Sequence, residues 1–330
     1  MTSSTVLILS AIAAFFPTLF YVVLIYWVDR YEKEPWWLLT AAFLWGAIPS
    51  IIVAFIANSL LSIPFYWLAG QNGGDALAAS LIAPPVEETI KGLAVLGIFL
   101  LWRHEIDSPL DGIIYGAMVG MGFAMIENIY YFVNTYNSGG AEAWGMNIFM
   151  RGIIFGLNHA LFTSMTGLGI ALARMTTHQL ARVALPIGGW LMAMFLHFVH
   201  NAAVSTGNAL CLLAFLSDWG GVMLVLVIIV WALVQERRWL KEYLVEEVGN
   251  YTLTVNQYKL ASSGRQRAKY NWNQLLTQGP RAYFSAARFF RKCSELAYKK
   301  HHHRLFADEK SGSLIESLRA ELRESNHLIT

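Results

Sequence analysis

The chain has 330 residues, of which 56% are hydrophobic and only 14% are charged. A soluble domain usually carries about 25% charged residues, so this composition indicates a membrane protein and argues against a soluble domain. The two cysteines, Cys211 and Cys293, lie far apart in the sequence. They provide neither a disulfide framework nor the spacing of a thiolate metal site.

The net charge of +2 conceals an uneven distribution. Residues 1–235 contain 7 Lys/Arg and 12 Asp/Glu, a balance of −5, whereas residues 236–330 contain 17 and 10, a balance of +7. We therefore predict two domains, a transmembrane domain over residues 1–235 and a basic tail over residues 236–330. A basic tail next to a membrane usually faces the cytoplasm and its anionic lipids.

Apolar stretches of about 20 residues, the length that crosses a bilayer as a helix, recur seven times. They lie at residues 5–27, 36–64, 77–101, 110–134, 148–172, 184–207 and 214–234. The predicted fold class is all-α, a polytopic membrane helical bundle of about seven transmembrane helices with a partly helical tail. The first stretch has no basic leading segment and no small-residue cleavage pattern, so we expect a membrane span rather than a signal peptide.

Basic residues occupy every second loop between these spans. Arg30 and Lys33 lie in the first loop, Arg103 in the third, and Arg174 and Arg182 in the fifth, whereas the loops between them contain no Lys or Arg. The positive-inside rule then predicts an N-terminus outside the cell membrane and a cytoplasmic tail. Within the tail, residues 281–300 have the pattern of a basic amphipathic helix, which can lie on a membrane surface or on a partner.

The third predicted span contains three charged residues, Glu87, Glu88 and Lys91, directly after Pro84 and Pro85. Charges inside a span cost a few kcal/mol each, so they need a structural or functional reason. The four-residue spacing of Glu87 and Lys91 places them on one helix face. The two prolines predict a break in the helix, and such breaks occur at membrane depth where they line a cavity or are packed in protein.

Polar and ionisable residues also interrupt spans four, five and six. The sequence places Glu127 in the fourth span, Asn158 and His159 in the fifth, and His197, His200 and Asn201 in the sixth. With alternating orientation, Glu87, Glu127, His159 and His197 fall roughly 7 to 12 residues from the outer ends of their spans, at a common depth. We therefore expect these four side chains to line one site.

Carboxylates and imidazoles are ligands that a divalent metal, zinc above all, prefers. A carboxylate outside the coordination sphere can act as a general base. Neither a Ser/His/Asp arrangement, an HExxH helix nor a phosphate-binding glycine-rich loop is evident in the sequence. At each position the alternative is a purely structural role, either in an interhelical hydrogen bond or in an ion pair.

Three functions fit these residues. The first is a membrane enzyme in which a bound metal activates water, and the resemblance described next makes it an intramembrane metalloprotease. The second is a proton-coupled secondary transporter, in which the same carboxylates and histidines relay protons. Transporters often show broken helices in both halves of the chain, whereas only one broken helix is evident here. The third is a non-catalytic membrane receptor or scaffold, which leaves the common depth of the four side chains unexplained.

The order of these motifs resembles that of PrsW-type intramembrane proteases, which are distant relatives of the CAAX prenyl proteases. The resemblance covers roughly residues 20–205. It rests on the motifs Glu87-Glu88-x-x-Lys91, Phe123-x-x-x-Glu127-Asn128, His159 with Thr163 and Gly167, and His197-x-x-x-Asn201, together with the segment 29–35. Glu127 favours a resemblance to the PrsW branch, because the CAAX branch has a histidine in the corresponding motif.

The resemblance implies an intramembrane metal-dependent glutamate peptidase that cleaves membrane-anchored, single-pass proteins such as anti-sigma factors. It implies a divalent metal, by preference zinc, a lipid environment and no nucleic-acid partner. Carried over by position, Glu87 matches the general base, and Glu88 and Lys91 support it. We also assign a catalytic role to Asn201, because it shares the helix face of His197. We assign metal binding to Glu127, His159 and His197. A role for His200 stays open.

Overall fold

The computed structural model describes residues 2–206, 210–307 and 309–329, and within these ranges the chain forms helices without a β-strand. The chain folds into two compact units, one of residues 1–28 and 34–228, the other of residues 29–33 and 229–330. The helices of the first unit are α1 (Ser3–Val28), α2 (Trp36–Leu61), α3 (Ile63–Leu77), α4 (Ala83–Leu101), α5 (Pro109–Ile148), α6 (Asn158–Arg174) and α7 (Gln179–Thr206). Helix α8 (Leu210–Gly249) belongs to both units. The second unit adds α9 (Val255–Ala261), α10 (Gly264–Gln278), α11 (Pro280–Phe306) and α12 (Glu309–Ser325).

This architecture confirms the predicted fold class, a helical membrane bundle. Among the described residues, five helical runs are long and apolar enough to cross a membrane, at Ser3–Val28, Trp36–Leu61, Pro109–Arg174, Gln179–Thr206 and Leu210–Gly249. The run Pro109–Arg174 has 66 residues and includes both predicted spans 110–134 and 148–172. The predicted span 77–101 coincides with α4 and the turn before it, where three charges reduce its apolarity. The number of crossings and the orientation of the termini stay predictions.

The predicted break lies directly before α4. Residues Ala78–Ile82 form a π-helical turn, in which the Ala83 N–H donates to the carbonyl of Ala78, five residues earlier. In this register the next carbonyl, that of Ala79, would accept from residue 84, which is a proline without an N–H. The helix α4 therefore starts with a missing backbone hydrogen bond, and Glu87 follows within its first two turns.

Close helix packing brings α5 against α6 at the level of the predicted site. The glycines at 112, 116 and 120 repeat every four residues on α5, and a Cβ at Gly120 would lie 2.1 Å from the carbonyl oxygen of His159. A Cβ at Gly116 would lie 2.5 Å from the carbonyl oxygen of Thr163. Small residues let membrane helices approach to backbone contact, where dispersion forces are strongest. This spacing sets how deeply His159 reaches towards α5.

The second unit has its own hydrophobic core. Helix α11 contributes Phe289, Phe290, Cys293 and Leu296, each 2% exposed or less. The apolar face of the predicted amphipathic helix 281–300 therefore packs inside this unit. Tyr31, from the loop that follows α1, belongs to the same core.

A buried charge cluster closes this core. Glu247 accepts a hydrogen bond of 2.7 Å from the Lys300 ammonium and bonds of 2.8 to 3.2 Å from the Arg319 guanidinium. The Lys300 ammonium also donates to the carbonyl of Tyr243 at 2.7 Å. A buried carboxylate with two cationic donors is satisfied, and removal of its charge would leave Lys300 and Arg319 only their more exposed carboxylate partners, Glu246 and Glu316.

We expect Gly120→Ala to lower the stability of the first unit and any activity that depends on His159. The new methyl group would overlap the His159 carbonyl, and overpacking of this kind costs about 1–3 kcal/mol. Thermal unfolding in detergent measures the change. Gly97→Ala, on α4, is the matched control, because a Cβ there has no neighbour within 4 Å. Equal melting temperatures for the two variants would contradict the packing argument.

Burial raises the pKa of the Cys293 thiol to about 12, which suppresses the reactive thiolate. At pH 8 we expect a Cys211→Ser protein to be alkylated at Cys293 about 1,000-fold more slowly than a thiol with a pKa near 9. Glu247→Gln would weaken the fold of the second unit by about 2–3 kcal/mol and speed this labelling through local opening. Alkylation kinetics followed by mass spectrometry test both points, and fast labelling of the folded parent protein would refute the first.

Candidate active site

The three charged residues of α4 form a buried ion cluster. Glu88 and Lys91 are fully buried, and the Lys91 ammonium donates to Oε1 of Glu88. The other Glu88 oxygen accepts from the Thr163 hydroxyl of α6 at 3.0 Å. Oε2 of Glu87 lies 3.8 Å from Nζ of Lys91, and the Lys91 ammonium lies 4.3 Å from the centre of the Phe123 ring. The lysine charge is thus shared between two carboxylates and an aromatic face.

His197 of α7 is oriented by Glu88. Its Nδ1 lies 3.0 Å from Oε1 of Glu88, so the carboxylate accepts the Nδ1–H. The imidazole stacks on Phe162, with 4.9 Å between ring centres and an interplanar angle of 18°. The remaining nitrogen, Nε2, lies 3.9 Å from Oε2 of Glu87. The ring therefore directs a lone pair towards the Glu87 side of the site.

His159 of α6 is oriented in the same way by Glu127. Its Nε2 lies 3.0 Å from Oε2 of Glu127, and its Nδ1 lies 3.3 Å from the Lys91 ammonium. Since an ammonium only donates, Nδ1 is the acceptor and Nε2–H is the donor to Glu127. Glu127 also forms an ion pair with Arg151, whose Nε donates to Asn128 at 2.8 Å.

A divalent cation fits the atoms at the centre of this cluster. One oxygen of Glu87 and one ring nitrogen from each of His159 and His197 lie within 4.8 Å of one another. Oε2 of Glu87 is buried without a hydrogen-bond partner, whereas its Oε1 accepts from the Asn58 amide at 3.2 Å. An orphaned buried carboxylate oxygen needs a proton, a water or a cation.

The charge balance supports the same conclusion. Three carboxylates, those of Glu87, Glu88 and Glu127, face two cationic side chains, Lys91 and Arg151. When all five are ionised, the cluster carries a formal charge of −1 at membrane depth. Such a charge is costly unless it is compensated, so a cation at this position would be stabilising.

Asn201 has a structural contact outside this cluster. Its amide donates to the carbonyl of Ala79 at 2.8 Å. This is the carbonyl that the proline at position 84 leaves without a backbone donor. Asn201 therefore repairs the break that precedes Glu87, and it lies among the backbone supports of α4 rather than beside the carboxylates.

The structure brings together six of the seven predicted site residues; they are Glu87, Glu88, Lys91, Glu127, His159 and His197. The predicted ligand set has Glu127 as its third member, whereas the three-residue group that can surround an ion has Glu87 in that place. Glu127 instead contacts His159 and Arg151. The sequence prediction overlooked Arg151, although a charge within the predicted span 148–172 is the same signal that singled out the other residues.

His200, whose role the sequence left open, belongs to a second polar cluster. Its Nδ1 lies 2.7 Å from Oδ2 of Asp218, which also accepts from the Asn158 amide at 3.0 Å. Asp218 is 1% exposed, and its Oδ1 has no partner among the described residues. An adjoining cavity of about 10 Å³ has room for one water centre. Asp218 was also missed from the sequence, although it lies within the predicted span 214–234.

Comparison with known proteins agrees with this geometry. Residues 34–234 match the profile of the family described as PrsW family intramembrane metalloprotease. Relatives named Protease PrsW include that of Geobacillus kaustophilus, which is 30% identical over 177 residues, covering 53% of this chain and 71% of the relative. The protein of Bacillus subtilis is 28% identical over 208 residues, covering 62% and 83%, respectively. No solved structure matches the chain.

The family match covers more than half of the chain, so the protein belongs to the PrsW family. It is a membrane peptidase, the first of the three functions that the sequence left open. The matched region ends at residue 234 and leaves most of the second unit outside it.

We expect Asn201→Ala to destabilise the first unit, because the half-buried Ala79 carbonyl would lose its side-chain donor. An unsatisfied group of this kind costs about 1–3 kcal/mol. Asn201→Asp should be at least as harmful, since an ionised carboxylate cannot donate. Thermal unfolding of both variants in detergent, with Asn137→Ala on α5 as an amide control outside the cluster, measures the effect. A parental melting temperature for Asn201→Ala would show that Asn201 does not support the break.

Proposed function

We propose that the protein is an intramembrane metal-dependent glutamate peptidase, with His159 and His197 as metal ligands and Glu87 as the residue that accepts a proton from the attacking water. The observation that carries this proposal is the partnerless Glu87 oxygen between two imidazoles. A divalent metal, by preference zinc, supplies Lewis-acid polarisation and acidifies water when it is bound in such a site.

Two carboxylates prepare the imidazoles for this role. Glu88 accepts the Nδ1–H of His197, and Glu127 accepts the Nε2–H of His159. Carboxylates that accept the second N–H of a ligating histidine fix its tautomer, hold its ring and increase its basicity. Each ring therefore has one lone-pair nitrogen, Nε2 of His197 and Nδ1 of His159, and a metal on Nδ1 would take the place of the Lys91 ammonium that lies 3.3 Å from it. In this proposal Glu127 acts through His159 and Arg151 rather than as a direct ligand.

Glu87 differs from the other two carboxylates in having an uncommitted oxygen. Asn58 holds Oε1, whereas Oε2 accepts no hydrogen bond and lies 3.8 Å from the Lys91 ammonium and 3.9 Å from Nε2 of His197. A general base must lie within hydrogen-bond reach of the water that it deprotonates, and the partnerless atom satisfies this condition for a water in the same space. Both oxygens of Glu88 already accept hydrogen bonds, Oε1 from Lys91 and His197 and Oε2 from Thr163.

The buried position of the site supports a membrane-anchored substrate. All the catalytic candidates lie on helices that include predicted spans, so a scissile peptide bond must reach membrane depth. Single-pass membrane proteins, of the anti-sigma-factor type that the resemblance implies, meet this requirement. The predicted depth, near the midplane or in the outer half of the bilayer, agrees with a first cut near the outer side, with the tail in the cytoplasm.

Glu87→Gln tests the proposed base. We expect this variant to keep its metal but to cleave a single-pass substrate in lipid nanodiscs about 10²–10⁴-fold more slowly, because the amide cannot accept the proton. His197→Gln should lose both metal and activity. Glu142→Gln, an exposed carboxylate substitution on α5, is the matched control.

Cleavage rates and metal content of the same samples separate the two parts of the proposal. Parental cleavage by Glu87→Gln and His197→Gln would refute the assigned chemistry. Loss of metal in Glu87→Gln would make Glu87 a ligand instead of the base. If the parental protein cleaves its substrate without bound metal, the metal assignment is wrong and only the role of Glu87 as the base remains.

A further inference from the structure

One segment of the second unit has an extreme charge composition. Residues 264–294 contain seven Lys/Arg and no Asp or Glu. They form α10 and the first half of α11, which meet at Gly279 in a helical hairpin; Gly279 has a φ of 86°, which favours glycine. This hairpin lies outside the region matched by the family profile.

The inner side of the hairpin is occupied by the core of the second unit. Arg267 is 4% exposed and donates to the carbonyls of Ala261 and Tyr31 and to the Ser294 hydroxyl, at 2.7 to 3.0 Å. Phe289 and Phe290 are buried there as well. The apolar face that the sequence pattern offers to a membrane is therefore unavailable, and any external contact must use other residues.

Three large apolar side chains project from the hairpin instead. Trp272, Leu276 and Phe284 are 60%, 69% and 68% exposed. They lie seven and three residues before Gly279 and five residues after it. At a rise of about 1.5 Å per residue, all three fall within roughly 11 Å of the turn along the helix axes. The tip of the hairpin is thus apolar, although it belongs to a highly charged unit.

Five basic side chains surround this tip or continue along the hairpin. Arg265, Lys269, Arg281, Arg288 and Arg291 are exposed, and none forms an ion pair with any residue in the part of the chain that the structure describes. Four other cations of this unit pair with carboxylates; Lys292, Lys300, Arg304 and Arg319 contact Glu321, Glu247, Glu242 and Glu246, respectively. The hairpin therefore carries uncompensated positive charge.

We propose that the hairpin tip, residues 269–288, binds the surface of an anionic lipid bilayer. Apolar side chains beside Lys and Arg are the combination that inserts into the headgroup region, with tryptophan preferred at the interface. The chain also tethers the hairpin to the bilayer, because α8 contains a predicted span and continues without interruption into the second unit. A tethered surface acts at high effective concentration, so weak individual contacts suffice. This inference does not depend on the peptidase chemistry.

An environment-sensitive fluorophore at the tip tests the proposal in the full-length protein. Ser285→Cys, in a Cys211→Ser background, provides one reactive thiol, because Cys293 is fully buried. The nitrobenzoxadiazole-labelled protein is placed in nanodiscs of phosphatidylcholine alone or with about a third phosphatidylglycerol, an anionic lipid. We expect brighter, blue-shifted emission with phosphatidylglycerol, and reversal in about 1 M salt, where the Debye length is about 3 Å.

Matched triple variants identify the residues responsible. Each basic residue near an anionic surface favours the bound state about fivefold, so K269Q/R281Q/R288Q should lower the bound-to-unbound ratio about 100-fold. The variant W272S/L276S/F284S should keep the salt dependence but lose the blue shift. K259Q/R304Q/R323Q removes three exposed charges of the same unit outside the hairpin and should behave as the parent.

Aqueous emission in both lipid compositions would overturn the proposal. The same conclusion would follow if the control triple variant lost the lipid response as completely as the hairpin variant. A binding experiment with a labelled single-stranded RNA tests the alternative partner. Binding of that RNA to the parent but not to K269Q/R281Q/R288Q, with the fluorophore remaining in water, would assign the surface to nucleic acid and reject the lipid surface.

Discussion

The ion pair between Glu88 and Lys91 is the interaction on which the first unit depends. Both side chains are fully buried in a helix of a membrane bundle, where removal of either partner would leave an isolated charge and cost about 3–5 kcal/mol. The pair also determines the rest of the site. Glu88 orients His197, and the Lys91 ammonium determines which nitrogen of His159 is the acceptor. One structural ion pair therefore sets the tautomers of two imidazoles.

The same helix must begin at a break in order to place these charges. The π-helical turn before α4 and the two prolines in its first turn remove backbone donors within a predicted span, where lipid cannot replace them. Asn201, one helical turn from His197, supplies the replacement for Ala79. The sixth predicted span thus contributes both a ring of the site and the support of the broken helix. This double contact explains the four-residue spacing of His197 and Asn201.

Much of the fold and the membership of the site could be predicted from the sequence, because both follow from hydropathy. Charges in apolar spans identify the functional helices, and loop charges assign a depth, so Glu87, Glu127, His159 and His197 were expected together. Hydropathy does not define the direction of a side chain. The pairing of Glu127 with Arg151, and the uncommitted oxygen of Glu87, depend on rotamers and on the rotation of each helix about its axis. Similarly, amphipathicity identified α11 but not which protein surface or membrane its apolar face covers.

The second unit is not continuous in sequence, because it includes part of a loop between two helices of the first unit. Residues 29–33 belong to it, directly before the family match begins at residue 34. The Tyr31 side chain is 9% exposed, and its carbonyl accepts from Arg267 and Ser294 at 3.0 and 2.8 Å. Release of this loop would expose the ring and break both bonds, one of them to a buried guanidinium that would lose a partner. The chain therefore passes between the two units three times, and only the last of these passages lies within α8.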